Sequence, residues 1–253
     1  MLFNVLPQTA YIFILIFARI GTLFMLMPGF SEKAVSVRVR LILAVMVSLM
    51  LYPMVSGNYG VVPATFAGIL AAMGKEMLIA LLLGLSVKLI MAALQIASTT
   101  IAFQLGLSFA MGPDPSTGQQ TVQLNTFLST VAITLIFVTN LHYLMIGAMY
   151  DSYELFPVNQ MLPLGDMADY ATEILADSFV VGLKLSAPFI VYGLIFYFGL
   201  GILSRLMPQL QVFFIAMPAN ILIGMILFML MLTTLMTWYM GHIEMVLGKF
   251  IAR

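Results

Sequence analysis

Cysteine is absent from the 253 residues, which excludes disulfides and thiolate metal sites. Histidine is nearly absent. His142 and His242 stand far apart, so the four-residue helical His pair with an adjacent Glu that a zinc protease needs is missing. Charged residues make up only 8% of the chain, against about a quarter in ordinary soluble domains, while 62% are hydrophobic. These proportions exclude a soluble globular protein. Ten Lys and Arg balance ten Asp and Glu, leaving no basic surface to hold nucleic-acid phosphates. No glycine cluster precedes a Lys-Ser or Lys-Thr pair and no Asp-rich diphosphate motif occurs, so no cofactor is expected. A cleaved leader would start with basic residues, but the first is Arg19, already inside an apolar stretch that is therefore expected to be retained.

What remains is a series of long apolar runs. Tyr11 to Met27, Leu41 to Tyr52, Phe66 to Met111, Leu124 to Met149, Phe179 to Leu203 and Phe213 to Trp238 read as about six helical segments. The expected fold is an all-α polytopic membrane protein, with residues 1–253 forming a single membrane-embedded domain. The run from Phe66 to Met111 contains no proline and is about twice the hydrocarbon thickness as a helix, so it must bend, break or leave the bilayer. Gln95, Ser98, Thr99, Thr100, Gln104 and Ser108 give its second half a polar face that calls for protein or water. Gly112 to Gly118, with Pro113 and Pro115, reads as a loop. Met207-Pro208 and Met217-Pro218 flank an apolar octet, predicting a break or kink at both.

Lys33, Arg38 and Arg40 make the first loop the most basic and predict that it is cytoplasmic. The acidic segment from Asp151 to Asp177, free of Lys and Arg, then falls outside, as do Lys249 and Arg253, the latter against the same rule. Intramembrane charges are default candidates for transport sites. Lys75 and Glu76 are adjacent, point about 100° apart on a helix and cannot form a facing pair. Arg19 is two turns from the basic loop and is expected to snorkel towards it. Arg38, Arg40, Lys75, Glu76 and Arg205 are candidates for subunit contacts or anchors. The alternative is a secondary transporter for a small solute, with Lys75, Glu76 or Arg205 coordinating substrate near a broken helix, although no internal repeat supports it. A Ser108–His142 nucleophile dyad is a weaker reading, since no strand precedes Gly106-Leu107-Ser108.

Several motifs together resemble one family. Ser31-Glu32-Lys33-Ala34-Val35 with Arg38-Val39-Arg40, Gln104-Leu105-Gly106-Leu107-Ser108-Phe109-Ala110 before Asp114-Pro115, and Pro208-Gln209-Leu210 with Phe213, Phe214 and Pro218 are similar to the FliR family of the flagellar type III export gate, which has relatives in injectisomes. The resemblance covers almost the whole chain. It implies a non-enzymatic gate subunit in the bacterial inner membrane and flagellar basal body, with part of the assembly raised toward the periplasm. The implied partners are the FliP and FliQ subunits, FlhB, membrane lipid and unfolded export substrates. It further implies a plug after the Gly-Leu-Ser-Phe-Ala motif. Phe109 matches the family there, whereas Gly112 and Pro113 stand where a second aromatic is frequent, so the seal is expected to lean on Met111. Gln95, Gln104, Gln120, Met207 and Met217 are candidates for lining the route or supporting the plug.

Overall fold

The computed structural model describes residues 2–32, 35–108, 111–113, 120–158, 160, 162–207 and 212–251. Among these are seven α-helices: α1 Leu2–Leu26, α2 Val37–Val55, α3 Phe66–Gln104, α4 Gln123–Val138, α5 Leu141–Leu155, α6 Leu164–Leu206 and α7 Val212–Gly248. The Gly112 segment differs from the expected irregular loop. Strands β1 Met111–Pro113 and β2 Gln120–Val122 pair antiparallel, with Met111 opposite Val122 and Pro113 opposite Gln120. Five helices are long and apolar enough to cross a bilayer, and the broken pair α4 and α5 is a sixth candidate span. The protein is thus all-α and polytopic.

Two compact units emerge from the packing, the first comprising Met1–Leu89, Ile136–Leu175 and Ile243–Arg253, the second Ile90–Leu135 and Ala176–His242. In the first, α1 buries Ile12, Ile16, Arg19, Ile20 and Leu23, and Met27 just past its end continues this stripe at three- and four-residue spacing. Leu26 of α1 lies over Gly84 of α3, where a side-chain carbon would sit 2.6 Å from it, so glycine is required for this approach. Ser36 caps α2 by accepting from the Val39 amide.

Helix α4 ends at Val138 and α5 starts at Leu141, because Asn140 adopts a left-handed conformation with φ 62°. Leu124 to Met149 is therefore two helices where the apolar run predicted one. Asparagine tolerates this conformation, so the break needs neither proline nor glycine. Asp166, Asp169, Glu173 and Asp177 were expected in a polar connection but lie on α6, which begins at Leu164 just after Pro163. Pro218 lies within α7 and does not end it; it removes one backbone hydrogen bond in a helix of 37 residues.

The second unit packs by small residues. A side-chain carbon at Gly182 of α6 would fall 2.8 Å from the Ala93 carbonyl oxygen of α3, so the two backbones are as close as glycine allows. Ser186, one turn further, is fully buried and turns its hydroxyl back to the Gly182 carbonyl. Phe228 of α7 stands between Phe127 and Phe189, with ring centroids 6.1 Å away in both pairs.

Candidate functional site

Helix α3 ends in a closed turn. Gly106 has φ 74°, the Leu107 amide donates to the Ala102 carbonyl at 2.8 Å, and the Gly106 amide donates to the Phe103 carbonyl at 3.2 Å. That pairing is a Schellman cap, which needs a left-handed residue at the position Gly106 occupies. The Gly-Leu-Ser-Phe-Ala motif therefore starts as a helix terminator, five residues before Met111. The predicted end of this long run at Gly112 and Pro113 comes earlier than expected, at Gln104, because Gly106 already supplies the turn.

The cap satisfies the carbonyls of Ala102 and Phe103, and the Gln104 carbonyl finds its donor elsewhere. Asn220 of α7, 3% exposed, donates its Nδ2 to that oxygen at 3.0 Å and accepts from the Tyr192 hydroxyl of α6 at 2.8 Å. The Gln104 side chain lies against Gly193 of α6, and Leu105 fills the notch at Gly224 of α7. Phe103, Gly106, Ser108, Phe196, Tyr197, Leu200, Ala216, Met217 and Asn220 line a groove of about 290 Å³ beside this turn. An apolar groove of this size with few polar groups suits an apolar side chain better than an ion or a charged solute.

The predicted route residues are placed as follows. Phe109 lies outside the described residues. Met111 is exposed on β1, whereas Gly112 is buried under the Gln123 amide, which fills the space a side chain would need. Pro113 and Gln120 face each other across the ribbon. Gln95 is exposed and Gln104 is half-buried. Met217 borders the groove, and Met207, exposed, follows the end of α6. On the polar face of α3, Ser98 donates to Asn125 Oδ1 at 3.1 Å, so this part of the face is satisfied by protein.

The first unit holds a charged cluster that sequence reasoning missed. Arg19 does not snorkel: it is fully buried, its Nε 2.5 Å from Glu76 Oε2. Its Nη1 donates to the Ser152 carbonyl at 2.9 Å and its Nη2 to the Phe156 carbonyl at 3.5 Å. These are carbonyls at the C-terminal end of α5, where a cation is favoured by the helix dipole. The Arg19 guanidinium carbon stands over the Tyr153 ring, 4.1 Å from the ring centroid. Burial pushes the Tyr59 phenol above its ordinary value, the neighbouring Tyr153 and Glu76 add to this, and Arg19 opposes it. A signal was available, since Arg19 and Glu76 are charges of opposite sign within apolar runs, but their partnership spans 57 residues.

Lys75 and Glu76 diverge as adjacency requires. Lys75 donates to the carbonyls of Val158 and Gln160. Arg40 donates to the Glu32 and Val35 carbonyls, tying down the first loop, while Arg38 and Arg205 are exposed. Ser108 and His142 belong to different units, and the His142 ring packs beside Phe137 and Tyr143. No group of three His, Asp or Glu able to hold a metal occurs among the described residues.

The sequence profile of the bacterial export proteins, family 1, matches residues 10–246. The chain belongs to this family. It is 38% identical over 229 residues to the flagellar biosynthetic protein FliR of Caulobacter vibrioides, covering 90% of this chain and 91% of the relative. Against the FliR protein of Escherichia coli identity is 32% over 207 residues, covering 81% and 78%. The Yop proteins translocation protein T of Yersinia pestis is 24% identical over 230 residues, covering 90% and 88%. Membership in the export family makes this chain a membrane-embedded component of flagellar type III protein export. The small-solute transporter gains nothing from these matches.

Proposed function

We propose that this chain is a non-enzymatic gate subunit of the flagellar type III export apparatus, acting as one domain in the bacterial inner membrane with part of the assembly raised toward the periplasm. It assembles with FliP-like and FliQ-like subunits and with an FlhB-like protein, and unfolded flagellar proteins pass beside the turn that ends α3. Family membership across residues 10–246 carries this reading. The α3 turn, with its apolar groove and the ribbon that follows, supports the placement of the gate. Phe109 and Met111, with Gly112 and Pro113, form the plug, because a pore wide enough for an unfolded chain must exclude ions at rest by bulky apolar contact.

Two measurements test this. Purification from membranes should yield an assembly with several copies of two other small membrane proteins, and deletion of the gene should abolish swimming. A stable, functional monomer would overturn the reading. Replacing Phe109 and Met111 together with Ala should raise resting ion leakage while leaving assembly intact, and an assembled double variant without added conductance would place the seal elsewhere.

A further inference from the structure

We propose that Tyr192 and Asn220 are positioning residues for the plug, acting as a latch on the turn that ends α3; this inference rests on the gate reading above. One carboxamide joins three helices. Asn220 on α7 donates to the Gln104 carbonyl on α3 at 3.0 Å and accepts from Tyr192 on α6 at 2.8 Å, and the Tyr192 hydroxyl also reaches the Asn220 carbonyl at 3.2 Å. Only an amide side chain supplies donor and acceptor together at this position; an aspartate would set an oxygen against the Gln104 carbonyl, and an apolar residue would leave that carbonyl and the Tyr192 hydroxyl without the partner seen here.

The latch completes the cap of α3. The Schellman pair takes two of the terminal carbonyls and Asn220 takes the next, so the position of Gly106 is set by backbone and latch together. Gly106 lies directly against the Asn220 amide: a side-chain carbon there would be 3.5 Å from Nδ2. The groove of about 290 Å³ along Phe103, Gly106 and Met217 leaves the turn room to move when the latch opens. The contacts are neutral hydrogen bonds, which can be exchanged without stranding a buried charge. Fixed when closed and able to shift when opened, the turn sets where the chain enters the stretch from Phe109 to Met111.

The test uses the complete assembly purified from cells and compares the parent with Tyr192→Phe, Asn220→Asp, Asn220→Leu and the plug double variant Phe109→Ala/Met111→Ala. Tyr192→Phe preserves packing and keeps the proposal testable if Asn220→Leu fails to assemble. Amide hydrogen exchange at Gly106 and Leu107 should quicken by about tenfold in Asn220→Asp, the equivalent of one lost hydrogen bond, and less in Tyr192→Phe. Resting ion conductance should rise in the same order, at unchanged subunit composition, a split that loss of folding would not produce. Unchanged exchange in both variants overturns the latch. Faster exchange without added conductance, while the plug double variant does leak, overturns the positioning role and leaves the gate reading standing. If the plug double variant does not leak either, the seal lies elsewhere and the positioning role falls with it; the gate-subunit reading is overturned only by a stable, functional monomer.

Discussion

Four of the twenty charged residues, Asp114, Asp177, Lys184 and Arg205, fall within the residue ranges of the second unit, whereas the first contains the other sixteen and buries Arg19 with Glu76. In the first unit a guanidinium with partners on two other helices fixes their positions. A buried ion pair adds little net stability over an apolar isostere, but breaking it is costly because one charge is left uncompensated. In the second unit the contacts are the Ala93 carbonyl over Gly182, the Gln104 and Leu105 side chains over Gly193 and Gly224, the neutral hydrogen bonds of Asn220, and one His242–Asp177 contact at 3.4 Å on an exposed carboxylate. Such contacts depend on size and shape and are exchanged one at a time. The proposed gate lies in the unit held this way.

If a buried ion pair is what sets the first unit apart from the second, their sensitivities should differ in kind. The largest effect is expected for Arg19→Met, which strands Glu76 and should destabilise by about 3–5 kcal/mol in thermal unfolding of the detergent-solubilised protein. Adding Glu76→Leu should return most of that loss. A cost under about 1 kcal/mol for the single variant would break the comparison.

Enlargement should be the damaging change in the second unit. Gly182→Val forces a side chain onto the Ala93 carbonyl and should cost about 1–3 kcal/mol, read by the same unfolding measurement. A fully tolerated valine would mean that α3 and α6 separate without penalty.

Gly106→Ala sharpens the contrast further, since the space beside it is adequate and only the left-handed backbone penalises the change, by about 1–2 kcal/mol. Its expected mark is a shift of unfolding temperature together with faster exchange at the Leu107 amide. The smallest effect belongs to Lys184→Met, which removes an exposed charge from the second unit and should stay within about 0.5 kcal/mol. A larger loss would show that charge matters there too.

The hydropathy runs located every long helix because a bilayer demands about twenty apolar residues per crossing, whatever the tertiary contacts. The break at Asn140 was not legible, since asparagine in a left-handed turn leaves no proline or glycine to mark it. The need for a bend or break in the long run was legible from its length, but the role of Gly106 as the cap follows only from the amides of Gly106 and Leu107 reaching back to Phe103 and Ala102. Gly112 was readable as a departure from an aromatic pattern; that the Gln123 amide occupies the missing side chain's space was not.

By itself the sequence determined the membrane class, the helical content and the family, because these follow from composition, apolar length and motifs that are local along the chain. Tertiary structure alone decided that Arg19 meets Glu76 across 57 residues and that Asn220 reaches Gln104 across 116. Local periodicity sets which face of a helix is apolar or polar, but not which other helix satisfies it, and a buried charge or carbonyl takes whichever partner the packed chain brings within hydrogen-bond reach.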